Sequence, residues 1–308
     1  MISVIVPVFN EEKSIRAFLD RLLPVLAQID EQHEIIFALD PSTDQTEQVI
    51  STLMSVHNQI KLLKLSRRFG QAAATMAGLT YAKGDFVVAI DVDLQDPPEL
   101  IIEMYALCQQ GVDVAYAQRR TRAGETWLKK RVAALGYKVI NKYSNCNIPP
   151  DTGDYRMLSR RIVEHILRLN DQQGFLRGLV AYVGFKQVAV LYDRDKRYAG
   201  KGNYNRYLGS LTIGFNGLFG FSKRPLALLY IPAIMLFSVC VLWAIAQLFF
   251  MLFRHQMPTM QEITIWLVCF LSSIQLMGLG LLGEYIGRLY MERTHRPLYI
   301  VDEYIEHI

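Results

Sequence analysis

The chain has 308 residues, is 51% hydrophobic and 20% charged, and carries a formal net charge of +4. That length allows one large domain plus an appendage, and a mean hydropathy of +0.16 is high for an enzyme surrounded by water on all sides. Four cysteines without a C-x-x-C pair support neither a zinc site nor a disulfide framework, and the lack of G-x-G-x-x-G or Walker sequences argues against a dinucleotide fold or a P-loop NTPase.

The first 120 residues alternate short apolar runs with longer periodic stretches. Strands are predicted at 3–8, 34–39, 60–65, 86–90 and 112–116, with helices at 14–29, 43–57, 71–82 and 98–110. Such alternation implies an α/β domain with a mostly parallel sheet, right-handed crossovers and helices on both faces. Ligands of these sheets bind beyond the carboxyl ends of the strands. Polar groups collect at that edge: Asn10 and Glu11 after the first strand, Asp40 after the second, Arg67 after the third, Asp91 and Asp93 after the fourth. The segment 40–44 also reads as a turn with a helix cap at Ser42 or Thr43. The apolar run 2–9 is too short for a signal peptide, so none is expected.

The fourth strand carries the sharpest signal. It ends in Asp91-Val92-Asp93-Leu94-Gln95-Asp96, and because side chains alternate along a strand, Asp91, Asp93 and Gln95 share one side if the chain stays extended. Carboxylate oxygens at this spacing suit a hard cation, Mg2+ or Mn2+, that completes its shell with water and substrate phosphates.

Basic and apolar patterns follow. Between 119 and 142 there are eight Lys or Arg and one acid, Glu125, while Leu128, Val132, Leu135 and Val139 recur at helical spacing. A basic face backed by an apolar stripe predicts a helix lying in a membrane interface. A second amphipathic stretch, with Leu208, Leu211 and Phe215, leads into two segments without a charged residue, 226–253 and 263–283. Both are long enough to cross a bilayer. Lys223 and Arg224 precede the pair, and Arg288, Arg293 and Arg296 follow it, which places both termini in the cytoplasm by the positive-inside rule. The predicted organisation is therefore a catalytic domain at 1–193, a juxtamembrane amphipathic segment at 194–225, a transmembrane hairpin at 226–288 with spans near 226–253 and 263–286, and a tail at 289–308.

Four motifs carry a family resemblance: Ile5-Val6-Pro7-Val8-Phe9-Asn10-Glu11-Glu12, Leu65-Ser66-Arg67-Arg68-Phe69-Gly70, Asp91-Val92-Asp93-Leu94-Gln95-Asp96-Pro97-Pro98 and Asp151-Thr152-Gly153-Asp154-Tyr155-Arg156. The set resembles family 2 glycosyltransferases of GT-A fold, and more narrowly the polyprenyl-phosphate group that includes dolichyl-phosphate mannose synthase and bactoprenol glucosyltransferases. The resemblance runs through the C-terminal Arg296-Pro297-Leu298-Tyr299-Ile300-Val301. It implies transfer of a sugar, with inversion, from a nucleotide diphosphate donor to undecaprenyl phosphate or a similar acceptor at the cytoplasmic face of the inner membrane.

The resemblance also implies residue roles. Pro7, Phe9, Glu11, Asp40, Arg67, Asp91 and Asp93 would hold the nucleotide sugar, and Asp91, Asp93 and Gln95 the metal. Asp93 and Asp154 are the expected catalytic residues; Asp154 lies near the reacting carbon, either as a base or as a group that positions the acceptor, and its bland alternative is an ion pair with Arg156 or another surface Arg. Arg119, Arg131 and Arg197 would receive the acceptor phosphate. Expected partners are the donor, the lipid acceptor, the bilayer and further copies of the chain, with a flippase as a candidate and no nucleic acid. Two departures from the family pattern, Leu39-Asp40-Pro41 and Gly200-Lys201-Gly202-Asn203, fall where donor diphosphate and sugar would lie. They leave the sugar unassigned, with uridine as the first expectation for the nucleotide. A non-catalytic membrane scaffold and a processive polysaccharide synthase are the competing readings, the latter weakened by two spans and no Q-x-x-R-W sequence.

Overall fold

Strand β1 (Ile2–Val8) is an apolar run without a solvent face, and its residues are nearly all buried. Two-sided burial demands neighbours on both edges and layers on both faces, and the structure supplies them. This computed structural model describes residues 1–29, 31–120, 149, 152–169, 175–195, 198, 260–293 and 297–306. In it β1 pairs in parallel with β2 (His33–Leu39) on one side and β4 (Phe86–Ala89) on the other, and β2 pairs in parallel with β3 (Ile60–Leu65). Helices α1 (Ile15–Ile29), α2 (Thr46–Met54), α3 (Gln71–Tyr81) and α4 (Leu100–Gln109) connect or follow these strands. Helix α3 packs so tightly on β1 that a Cβ at Gly78 would stand 2.3 Å from Ile5 Cγ2.

Among the described residues the sheet has eight strands in the order β7-β5-β6-β4-β1-β2-β3-β8. The sequence predicts its parallel centre and misses part of its flanks. Strand β6 (Thr152–Ser159) inserts antiparallel between β4 and β5 (Val114–Arg119), and β7 (Gln187–Tyr192) runs parallel beside β5. Helices α5 (Arg160–Arg168) and α6 (Leu176–Val183) lie between β6 and β7 in the chain. The predicted tail contains β8 (Val301–Ile305), which pairs antiparallel with β3 and covers that edge. An unpaired edge exposes a row of backbone donors and acceptors, so this return satisfies groups that β3 would otherwise present to solvent.

At the amino ends of the strands lies a closed ionic cluster. Glu34 accepts from Ser3 Oγ at 2.5 Å and pairs with Lys61 at 2.7 Å, while Lys61 and Lys83 each reach Glu306 at 2.9 Å. Burial by itself would raise the pKa of Glu34, but the hydrogen bonds from Lys61, Ser3 and the Lys83 amide outweigh it and hold the carboxyl below its ordinary value.

Residues 1–220 and 297–308 form one compact unit, and 221–296 form a second. The second contains α7 (Met260–Arg293), a continuous helix of 34 residues, about 50 Å at roughly 1.5 Å per residue. Among its described side chains Leu267, Val268, Leu279, Leu282, Ile286 and Leu289 are exposed. Over the described positions no helix is long and apolar enough to cross a membrane. The predicted span 226–253 and the amphipathic stretches around 128–139 and 208–219 lie outside the described residues, as do Arg131 and Arg197.

Candidate active site

A cleft of about 340 Å³ opens at the carboxyl edge of the sheet, lined among others by Pro7, Phe9, Glu11, Asp40, Asp91 and Asp93. Six residues that the sequence assigns to donor binding thus meet in one place. Their loops are tied to each other. Asn10 adopts a left-handed φ of 55°, tolerable for asparagine, and its Oδ1 accepts from the Thr43 amide at 2.8 Å. The Glu11 amide donates to Thr46 Oγ1 at 2.9 Å, and the Glu12 amide to Asp44 Oδ2 at 3.2 Å. The cap expected at Ser42 or Thr43 is not observed: the N-cap of α2 is Gln45, without a side-chain cap bond, and one residue before it Asp44 Oδ1 accepts from the Thr46 amide at 3.0 Å.

Asp40 lines the cleft as expected but has partners that the sequence did not predict. Its carboxylate accepts from the backbone amides of Phe69 at 3.0 Å and Gly70 at 2.8 Å, and the residue is 3% exposed. Gly70 has φ 95°, where a side chain would be strained, so Asp40 and Gly70 together shape the 67–70 loop as one wall of the cleft. On that wall the expected Arg67 is replaced by its neighbour. Arg68 lines the cleft with its guanidinium 3.9 Å above the Phe9 ring. Arg67 is exposed, stacks on Phe69 and donates to the Arg68 carbonyl. Both arginines stood in one motif, and only the loop's conformation separates them.

The expected extension through Asp91, Asp93 and Gln95 is not observed. Strand β4 ends at Ala89, the chain turns at Val92 and Asp93, and Leu94 takes a left-handed φ of 60°. The cause is local: Asp93 Oδ1 accepts the Gln95 amide at 3.1 Å, an aspartate turn that competes with the strand. Gln95 is thereby turned away from the two aspartates, and its side-chain amide donates to the Asp195 carbonyl at 3.4 Å. The strap after β7 is clipped to this turn, with the Asp195 amide on Gln95 O at 3.1 Å and the Tyr198 amide on Asp93 O at 3.2 Å.

Carboxylates crowd here. Asp91 accepts from Gln71 Nε2 at 2.7 Å. Burial, then the nearby charges of Asp96, Asp93 and Asp154, push its pKa up to about 8. Asp96 is buried, accepts from the Tyr192 hydroxyl and lies 3.6 Å from Arg194. Among the described residues no group of three or more His, Cys, Asp or Glu is arranged to hold a metal. A site made of Asp91 and Asp93 fits a cation that takes one or two carboxylates and draws its remaining ligands from water and phosphate. The crowding of like charge is the condition such a cation relieves.

On the far side of this cluster stands Asp154 on β6. Its partner is Arg177 of α6, with Nε on Oδ1 at 2.8 Å and Nη2 on Oδ2 at 3.3 Å. The ion pair that the bland alternative allowed with Arg156 or another Arg is thus made with Arg177, while Arg156 is 3% exposed and donates to the Gly153 carbonyl at 2.7 Å. Burial would raise the pKa of Asp154, but Arg177, followed by Arg156 and Arg119, brings it below the ordinary carboxylate value. Arg119 ends β5, its Nε 3.4 Å from the Tyr192 hydroxyl. Arg177 was missed by sequence reasoning, although it is the one charged residue of the apolar helix Leu176–Val183. An isolated charge in such a helix needs a partner, and that was the available signal.

The sequence pattern described as Glycosyl transferase family 2 matches residues 3–167. The chain belongs to this family. An uncharacterized glycosyltransferase of Bacillus subtilis is 40% identical over 301 residues, 98% of this chain and 93% of the relative. The bactoprenol glucosyl transferase of Shigella phage SfV is 36% identical over 304 residues, 97% of either chain. A mannosyltransferase from Pyrobaculum calidifontis, solved with GDP-Man and Mn2+, shares the fold at a TM-score of 0.50 and 19% identity, over 72% of this chain and 65% of that one. The protein is accordingly a glycosyltransferase, and its GT-A-like fold places three of the four motifs, those at 5–12, 65–70 and 91–98, on the cleft described above.

Proposed function

We propose that this family 2 enzyme transfers a sugar from a nucleoside diphosphate sugar, a uridine nucleotide in the first instance, to a polyprenyl phosphate, with inversion. The observation that carries the reading is the convergence of Pro7, Phe9, Glu11, Asp40, Asp91 and Asp93 on one cleft. Relatives of matching length are named bactoprenol glucosyl transferases, which supports the lipid acceptor. Asp91 and Asp93 would hold Mg2+ or Mn2+, and the cation when bound supplies positive charge to the diphosphate leaving group. Phe9 and Arg68 offer flat surfaces to the nucleoside, and the 67–70 loop held by Asp40 sets the width of the cleft. Arg119 stands beside Gly153 on the Asp154 side, where a guanidinium can take two oxygens of the acceptor phosphate; Arg131 and Arg197 are proposed to complete that site.

The membrane hairpin and cytoplasmic placement belong to the same proposal. Residues 263–283 carry no charge and lie within the continuous helix Met260–Arg293. Because 1–220 and 297–308 share one unit, an insert that crosses a bilayer from that unit must cross it an even number of times. Basic residues flank the proposed pair of spans.

The test is incubation of the full chain in neutral detergent with undecaprenyl phosphate and a panel of nucleotide sugars, with and without excess EDTA. The expected product is an organic-extractable lipid-linked sugar that forms only when divalent metal is present. Sugar transfer to soluble acceptors alone would overturn the lipid reading, and full activity in EDTA would overturn the metal.

A further inference from the structure

Asp154 is held from two directions. Arg177 grips both oxygens of its carboxylate, and Arg156 fixes the carbonyl of the preceding Gly153. The carboxylate still keeps 32% of its side-chain surface accessible, against 18% for Arg177, so a substrate group can reach it without breaking the pair. A carboxylate that accepts a bidentate guanidinium is a poor proton acceptor, because protonation would forfeit two charge-assisted hydrogen bonds. A phosphate acceptor, being anionic already, does not ask for one. We propose that Arg177 is a positioning residue that locks the Asp154 carboxylate in one orientation, so that Asp154 serves as a fixed hydrogen-bond acceptor for a substrate hydroxyl and takes no proton. The inference rests on the transferase reading above; it requires that the acceptor be a phosphate but not that the phosphate be carried by a lipid.

The experiment is a double-mutant cycle on the full chain, read as release of nucleoside diphosphate from the donor with undecaprenyl phosphate or a soluble phosphate ester as acceptor, whichever the wild type uses. Arg177→Ala is expected to lower kcat about 100-fold, as misplacement of a reacting group does, with donor KM within about threefold. Arg177→Lys, which keeps the charge without the fork, should recover about tenfold of that loss. In an Asp154→Asn background, Arg177→Ala should cost less than about threefold more, because the two residues act as a unit. Equal losses in both backgrounds would overturn the proposal, as would variants with lowered Tm and unchanged kcat, the signature of a structural bridge. If Arg177→Ala melts early, Arg177→Gln and Arg177→Lys keep the volume and carry the same comparison. Wild-type enzyme that releases nucleotide but makes no lipid-linked sugar would refute the lipid acceptor and leave the cycle fully readable.

Discussion

The two ends of the same strands handle buried charge in opposite ways. At the amino ends, Glu34, Lys61, Lys83 and Glu306 alternate in sign and are joined by contacts of 2.7 to 2.9 Å. At the opposite edge Asp96, Asp93 and Asp154 all disfavour the charged form of Asp91, whose hydrogen-bond partner is the neutral amide of Gln71. The first cluster fastens the returning strand β8 to the sheet. The second leaves negative charge for a ligand to neutralise, and a fold tolerates such a deficit where binding will offset it.

The sharpest way to break this comparison is Asp93→Asn. Its Oδ1 can still accept the Gln95 amide, so the turn survives, while a carboxylate beside Asp91 is lost. Transfer should fall by at least about 100-fold with Tm unchanged or slightly raised; a Tm drop without kinetic loss would make Asp93 structural. In the wild type, protonated Asp91 is the favoured form below pH about 8. Mn2+ titrated at pH 7 should therefore release about one proton per ion, measurable from binding heats in buffers of different ionisation enthalpy.

Glu34→Gln should do the reverse. It leaves Lys61 with Glu306 alone and is expected to cost about 1–3 kcal/mol in urea unfolding, with kcat of the folded protein unchanged. The sign with pH follows from the lowered pKa of Glu34. Its contribution is fully present above the unfolded value of about 4.3 and disappears as pH falls through the folded value. The stability gap between wild type and variant should therefore close in acid.

Smaller effects separate the walls of the cleft. Asp40→Ala frees the amides of Phe69 and Gly70 and should raise donor KM about tenfold, near the effect of losing one or two charge-assisted hydrogen bonds. Arg68→Ala should raise donor KM about fivefold, in the range of one stacked guanidinium, and Arg67→Ala less than twofold. Equal effects from the two arginines would show that the loop rearranges when the donor binds.

How much of this was legible varies along the chain. The parallel centre of the sheet could be read because each of its strands is a short apolar run between turn residues, and Glu11, Asp40, Asp91 and Asp93 followed from the rule that strand ends meet at one edge, which also offered Arg67 where Arg68 lines the cleft, while Pro7 and Phe9 came from the family resemblance. Strand β6 was harder, since Thr152–Ser159 mixes polar and apolar residues and is paired on both sides. Strand β8 was hidden in a short tail whose strand character depends on an edge 236 residues earlier, the separation of Leu65 from Val301.

By itself the sequence determined the α/β alternation, the motif set of a family 2 glycosyltransferase and the edge at which its chemistry lies, because periodicity and motif spacing are local properties of the chain. Tertiary structure alone decided that Arg68 and not Arg67 faces the cleft, that Asp40 spends its carboxylate on the amides of Phe69 and Gly70, and that Arg177 claims Asp154. Each of these depends on which of several equivalent donors lies within about 3 Å of an acceptor. That distance is set by the packing of helices and loops far apart in the chain, which no local pattern encodes.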